Sequence, residues 1–130
     1  MKMTWDVKYE VGHERIDFEH HIFLDLVCSF KNKLDQGGSK AKLLSLLREI
    51  GKYADFHFTS EENLMEDCAY PDLRHHAQLH AALLGDLHDK TGEFARDRLS
   101  GEALFDFLFH WFAFHTSKED KELARHIASL

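Results

Sequence analysis

The sequence is poor in residues that interrupt helices. Among 130 residues there is one proline, Pro71, and there are only seven glycines, and these two residue types are the least favourable in helix interiors. No apolar run approaches the roughly 18 residues that a membrane-spanning helix needs, and the first residues lack the apolar stretch of a signal peptide. These absences favour an all-α protein that is not integral to a membrane, and we expect it in the cytoplasm.

Cysteine and positive charge are also scarce. Cys28 and Cys68 are the only cysteines, and their separation matches neither a CxxC metal knuckle nor a disulfide framework. The 16 Lys and Arg residues are outnumbered by 23 Asp and Glu residues, which gives a formal net charge of -7. Because such a charge repels the phosphates of nucleic acids, nucleic acid is excluded as a partner.

Four segments carry apolar residues at the spacing of one helix face. The first covers residues 17–34, and the second follows a pair of glycines with Ser39 as its N-cap. Pro71 opens the third, since proline suits the first helical turn, and the fourth begins after Ser100. Short connections between helices favour antiparallel neighbours. We therefore predict an all-α fold, an antiparallel up-down-up-down four-helix bundle, over residues 16–130.

The first residues differ from the rest. Residues 1–15 show no helical period, but Trp5 and Tyr9 give this segment aromatic rings to bury. We expect an N-terminal arm that packs across the bundle. A chain of this length can bury about two-thirds of its unfolded surface in one core, so we expect a single domain over residues 1–130.

Histidine is the residue in excess, with eleven in the chain. Six ionisable side chains lie on the apolar stripes of the four helices: His20, His57, Glu61, His76, His80 and His115. A lone histidine on an apolar face is more often a hydrogen-bonded core residue, but burying this many without partners would be costly. Residues at i and i+4 lie one above the other on a helix, so each such pair can aim two donor atoms at one point. The pattern predicts a metal site enclosed by four helices.

The six other histidines fit this pattern less well. His75 has no ligand-type residue three or four positions later, which favours its neighbour His76. His21 can pair with Asp25 one turn away, and a solvated pair is the simpler interpretation. The other four are expected at the surface or its boundary: His13, His88, His110 and His126.

Five parts of the chain carry a resemblance to a known family: Ile16-Asp17-Phe18-Glu19-His20, His57-Phe58-Thr59-Ser60-Glu61-Glu62, Tyr70-Pro71 ahead of His76 and His80, Trp111 with His115 and Asp120, and the arm residues Trp5, Tyr9, Val11 and Gly12. Together they resemble the hemerythrin pattern, in particular that of single-domain bacteriohemerythrins, over essentially the whole chain. One departure is Glu19, where relatives commonly have Gln.

The resemblance implies a non-haem di-iron centre. The implied ligands are His76, His80 and His115 on one iron, His20 and His57 on the other, and Glu61 and Asp120 as bridges between the two. Spacing alone does not choose Asp120, because Glu119 is the i+4 neighbour of His115 and Asp120 is about 140° away around an ideal helix. Asp120 therefore rests on the resemblance.

Counting coordination positions leaves one vacancy. Five imidazoles fill five positions, two bridging carboxylates fill four, and a bridging oxo or hydroxo group fills two, which makes eleven of the twelve that two octahedral ions offer. The vacancy falls on the iron with two histidines. A mixed imidazole and carboxylate set of this size favours Fe2+/Fe3+ over zinc or copper(I), with manganese as an alternative in vitro.

The resemblance also implies a function, which is reversible binding of dioxygen for its carriage, storage or delivery. We expect a monomer that is not an enzyme, with an oxygen-consuming oxidase as a candidate recipient. An oxygen or redox sensor is one alternative, but it would need an output domain, which we do not expect in 130 residues. A di-iron enzyme that reduces peroxide, nitric oxide or dioxygen is the other, and turnover with an electron donor would identify it. Weak oxidase or peroxidase side activity is compatible with a carrier.

Overall fold

The computed structural model describes residues 5–130, and in residues 116 and 117 the backbone only. The helices are α1 (Glu14–Asp35), α2 (Lys40–Asp67), α3 (Leu73–Ala95), α4 (Gly101–His115) and α5 (Lys121–Ala128). A 3-10 helix, Val7–Tyr9, precedes α1, and a π-helical turn, Thr116–Asp120, joins α4 to α5 without a break. Within residues 5–130 there is no strand. No helix in this part of the chain is long and apolar enough to cross a bilayer.

The four long helices form a closed ring. α1 packs against α2 and α4, α2 packs against α3, and α3 packs against α4. The connections 36–39, 68–72 and 96–100 are short, and short connections join antiparallel neighbours. The predicted all-α four-helix bundle is confirmed.

Local signals in the sequence explain where the helices begin and end. The hydroxyl of Ser39 accepts the N–H of Lys42 at 3.1 Å, and the hydroxyl of Ser100 accepts the N–H of Ala103 at 3.1 Å. Such caps are each worth about 1 kcal/mol. After α1 the backbone turns at Gly37, whose φ of 75° lies in the left-handed region where glycine has no steric penalty.

α1 begins at Glu14, two residues before the expected boundary between arm and bundle. The reason is a cap at His13, whose ring Nδ1 accepts the N–H of Ile16 at 3.3 Å. An imidazole in this role satisfies a backbone donor that the first turn leaves unpaired. The helix α1 therefore begins before Ile16, the first apolar residue of its stripe.

The described part of the arm packs against the bundle, while residues 1–4 lie outside the described range. Tyr9 is buried and meets Phe112 edge-on, with ring centroids 5.3 Å apart. Trp5 stacks on His21 at 3.6 Å between ring centroids. These contacts attach the arm to α1 and α4, close to the predicted site.

Two apolar clusters fill the bundle on either side of a polar layer. The larger cluster contains Phe23, Phe30, Phe58, Leu87 and Phe112 among others. The smaller cluster consists of four buried residues: Ile16, Met65, Tyr70 and Leu123. In α1 and α2 the predicted ligands lie between a residue of one cluster and a residue of the other, as His20 lies between Ile16 and Phe23. The predicted site is therefore enclosed by apolar side chains at both ends.

Candidate metal centre

Seven buried ionisable side chains meet in this polar layer. None is more than 4% exposed. They come from α1 (His20), α2 (His57 and Glu61), α3 (His76 and His80), α4 (His115) and the end of the π-helical turn (Asp120). The structure thus brings together every side chain that was predicted to bind metal.

The donor atoms form two groups that share Glu61. In each group the atoms lie within 4.8 Å of one another, and the groups are Glu61, His76, His80 and His115, and His20, His57, Glu61 and Asp120. We call them the three-histidine group and the two-histidine group. Oε1 of Glu61 is 3.1 Å from Nε2 of His80, and Oε2 is 3.1 Å from Nε2 of His57. One carboxylate therefore presents one oxygen to each group.

Asp120 has the same divided arrangement. Its Oδ2 is 2.8 Å from Nε2 of His20 in the two-histidine group. Its Oδ1 is 3.0 Å from Nε2 of His115 and 3.3 Å from Nε2 of His76 in the three-histidine group. Both carboxylates can therefore reach two ions at once.

The π-helical turn explains why Asp120 occupies the position that an ideal helix would give to Glu119. A π-helical turn bonds residue i to i+5 instead of i+4, so it takes one more residue to come round to the same face. Asp120 lies one such turn after His115 and is fully buried, whereas Glu119 is half-buried. Ideal helix geometry could not choose between the two because nothing in the spacing indicated the extra residue.

Several buried atoms of the site have no hydrogen-bond partner. Within the described residues they include both oxygens of Glu61, Oδ2 of Asp120, and Nε2 of His80 and His115. They approach one another closely, but not at hydrogen-bonding angles. Buried polar atoms are nearly always partnered, and leaving one unpartnered costs about 1–3 kcal/mol. The donor set therefore fits a pair of hard, imidazole-binding cations better than it fits a hydrogen-bonded core.

In the metal-free protein the imidazoles and carboxylates offset one another's charges. Burial alone would lower the pKa of His57, but the charge of Glu61 and the bond to Glu19 raise that pKa to about 10. Burial also opposes the charge on His115, yet the charge of Asp120 raises its pKa to about 10. Burial raises the pKa of the Glu61 carboxyl, but the charge of His57 outweighs this and holds it well below its usual value. At neutral pH two histidines are therefore cations, and metal binding must displace their protons.

Carboxylates hold the outer nitrogens of two of the candidate ligand histidines. Nδ1 of His57 donates to Oε1 of Glu19 at 2.6 Å, and Nδ1 of His80 donates to Oε2 of Glu62 at 2.9 Å. Each bond fixes the ring so that Nε2 faces the site. Sequence reasoning quoted both Glu19 and Glu62 among the family motifs but gave Glu62 no role, because Glu62 lies beside Glu61 and off the apolar stripe.

The remaining histidines lie outside the cluster. Four are exposed: His21, His75, His88 and His110. His13 caps α1, and Nε2 of His126 is 3.3 Å from the carbonyl oxygen of Cys68. The exposed position of His75 and the buried position of His76 agree with the predicted choice between them.

A small cavity adjoins the site. Its volume is about 10 Å3, which is room for about one water-sized molecule. It is lined by three imidazoles and four aromatic rings, those of His20, His57 and His115 and those of Phe23, Phe58, Trp111 and Phe112. The cavity thus opens onto both histidines of the two-histidine group and onto His115 of the other group, and the rest of its lining is aromatic.

Comparison with known proteins finds a family model and several relatives that match most of the chain. The family model described as the hemerythrin HHE cation binding domain matches residues 11–127. The chain is 26% identical over 126 residues to the Bacteriohemerythrin of Clostridium acetobutylicum, covering 92% of this chain and 96% of that protein. It is 25% identical over 118 residues to the Bacteriohemerythrin of Pseudomonas aeruginosa, covering 91% and 76%. The Bacteriohemerythrin of Campylobacter jejuni is 24% identical over 133 residues, covering 95% of each chain.

Proposed function

Because the chain belongs to the hemerythrin family, we propose that it binds dioxygen reversibly at a pair of non-haem iron ions, for carriage, storage or delivery. The observation that carries the proposal is the small apolar cavity beside the two-histidine group. That group has one histidine fewer than its neighbour, so an ion bound there keeps a coordination position for an outside ligand.

The proposed ligands divide into terminal and bridging side chains. The terminal ligands would be the Nε2 atoms of His76, His80 and His115 on one ion and of His20 and His57 on the other. Glu61 and Asp120 would bridge the ions, since each presents one oxygen to each group. Iron in this centre supplies the electrons that dioxygen accepts on binding.

The aromatic side chains around the cavity keep bulk water away from the site. Phe23 is 2% exposed and Phe112 is 3% exposed, and the two rings stack at 5.7 Å between centroids. Trp111 meets Phe23 edge-on at 5.0 Å. A small cavity lined largely by aromatic rings admits a small uncharged gas and disfavours hydrated anions, which suits reversible binding better than oxidation of a polar substrate.

The direct test is a cycle of oxygenation and degassing. The iron-loaded protein is reduced without oxygen, exposed to oxygen and then degassed while its visible absorption is recorded. We expect a visible band that rises with oxygen and falls on degassing over several cycles. A band that never forms, or continuous oxygen consumption with an added electron donor, would contradict a carrier.

Replacing Phe23 with leucine should shorten the lifetime of the oxygenated protein. The smaller side chain opens space beside the cavity and lets water reach the site. Phe30→Leu is the matched control, because Phe30 is equally buried on the same helix but packs against Phe94 away from the ligands. Both variants should lose less than the roughly 3–5 kcal/mol typical of Phe→Ala, and their melting temperatures are measured so that variants of similar stability are compared. Equal decay rates of the visible band in the two variants would show that Phe23 does not protect the oxygenated site from water.

Three further expectations remain predictions. We propose that residues 1–130 act as one domain, that the protein is a monomer in the cytoplasm, and that an oxygen-consuming oxidase receives its oxygen. The net charge of -7 favours a soluble state without self-association. Sedimentation of the purified protein tests the monomer.

A further inference from the structure

We propose that Glu19 is a positioning residue that lowers the reduction potential of the iron held by His20 and His57. The inference rests on the di-iron centre of the proposed function. It concerns the electrostatic environment of one ion rather than the set of ligands.

The contacts of Glu19 fix its carboxylate against the outer nitrogen of His57. Oε1 accepts from Nδ1 of His57 at 2.6 Å, while Oε2 accepts from the hydroxyl of Ser60 at 3.0 Å and from Nε of Arg15 at 2.9 Å. The residue is only 4% exposed. Its backbone carbonyl accepts from the hydroxyl of Tyr53 at 2.9 Å. Both oxygens and the backbone are therefore held, so the carboxylate cannot move away from His57 without breaking several bonds.

These contacts favour a charged carboxylate. Three donors point at its oxygens, and hydrogen bonds to the charged form of an acid stabilise that form. A glutamine at this position could accept from His57 but would carry no charge. The difference between the two residues at this site is therefore one buried negative charge.

A negative charge beside the outer nitrogen of a ligand histidine changes the reduction potential of the bound metal. The imidazole becomes a stronger electron donor through Nε2, and stronger donation stabilises a ferric ion more than a ferrous one. Hydrogen bonding and charge around the ligands are among the means by which proteins set the potential of iron. Glu19 should therefore make the ion of the two-histidine group easier to oxidise.

The corresponding contact in the three-histidine group is weaker. Glu62 accepts from Nδ1 of His80 at 2.9 Å, but its side chain is 37% exposed, against 5% for that of Glu19. Solvent weakens the field of an exposed charge much more than that of a buried one. Arg15 offsets part of the charge of Glu19, but the Arg15 side chain is 60% exposed, so it does not cancel it. The extra charge thus acts mainly on the ion with the open position.

The test compares Glu19→Gln with Glu14→Gln in the iron-loaded protein. Glu14 is an exposed residue in the first turn of the same helix, so both variants remove one negative charge and only one removes it from the site. The reduction potential is measured by spectroelectrochemical titration, after metal analysis has shown two irons in each variant. We expect Glu19→Gln to raise the reduction potential by at least 59 mV, which corresponds to a tenfold change in the ferric to ferrous ratio for one electron. Glu14→Gln should match the wild type.

Equal potentials for Glu19→Gln, Glu14→Gln and the wild type would overturn the inference. If Glu19→Gln does not retain two irons, Arg15→Gln decides the matter, since it alters a surface side chain and leaves the carboxylate in place. Removing that cation should lower the potential, and an unchanged or raised potential would overturn the inference. A wild-type protein that binds no iron would instead contradict the proposed function, so the two failures can be told apart.

Discussion

Asp120→Asn should reduce the iron content from two ions per chain to fewer than one, whereas Glu119→Gln should leave it unchanged. Asp120 is fully buried, with one oxygen 2.8 Å from His20 and the other 3.0 Å from His115. An asparagine keeps the size of the side chain but replaces one of these oxygens with an NH2 group, which cannot coordinate a cation. Loss of an outer-sphere contact alone weakens metal affinity by about 10–100-fold, so loss of a bridging ligand should exceed about 100-fold.

The comparison is sharp because the two residues are neighbours and both changes remove one negative charge. Iron per chain is measured after reconstitution and gel filtration, and circular dichroism confirms that both variants are helical. On an ideal helix Glu119 would be the ligand and the outcomes would be exchanged. Iron loss in Glu119→Gln with retention in Asp120→Asn would therefore refute the role of the π-helical turn.

Removing the metal should make stability depend on pH in a direction that the loaded protein does not share. In the metal-free protein the pKa of His57 and that of His115 are raised to about 10, from the ordinary value of 6.5. A histidine whose pKa is higher in the folded state than in the unfolded state stabilises the fold. This contribution is complete at pH values below the pKa of the unfolded state, and it is lost as the pH rises towards the pKa of the folded state. Metal-free stability should thus fall between about pH 6.5 and pH 10.

The buried carboxylates set the lower end of the pH range in which the metal-free protein is stable. The pKa of Glu61 is held well below its ordinary value of 4.5 by the charge of His57, although burial opposes the shift. A carboxyl group whose pKa is lower in the folded state stabilises the fold at pH values above the pKa of the unfolded state. This contribution is lost as the pH falls towards the pKa of the folded state. The metal-free protein should therefore be most stable between about pH 4.5 and pH 6.5.

Metal binding removes this fall in stability above pH 6.5. Ligand histidines bind metal in their neutral form, so binding must release the protons of His57 and His115. Two displaced protons make the apparent affinity rise by about 100-fold per pH unit while both histidines are protonated in the metal-free protein. We expect the gap between the melting temperatures of loaded and metal-free protein to widen from pH 6 to pH 9. Calorimetry in buffers of different ionisation enthalpy should detect at least two protons released at pH 7. A constant gap with no proton release would show that His57 and His115 are neutral before metal arrives.

The fold and most of the candidate metal site could be predicted from spacing. His57 with Glu61 and His76 with His80 are i, i+4 pairs on apolar stripes, and a four-helix bundle brings such pairs to one level. His20 and His115 follow because each lies alone on the stripe of another helix. Residues spaced along the inner faces of four helices come close together in the bundle, so these six residues could be predicted without reference to relatives.

Other features could not be predicted from periodicity because they depend on local departures from it or on contacts between helices. Asp120 reaches the site only through the extra residue of the π-helical turn, and its prediction came from family resemblance. Glu62 contacts His80 across the α2–α3 interface, and no pattern within α2 indicates this. The small cavity likewise arises from the packing of aromatic rings from three helices.

Anomalous scattering at the iron edge, measured on crystals of the reconstituted protein, tests most directly whether the seven buried side chains form one dinuclear centre. We expect two peaks per chain, one within bonding distance of His76, His80 and His115 and the other of His20 and His57, with Glu61 and Asp120 contacting both. A single peak, or peaks away from these side chains, would contradict the proposed centre.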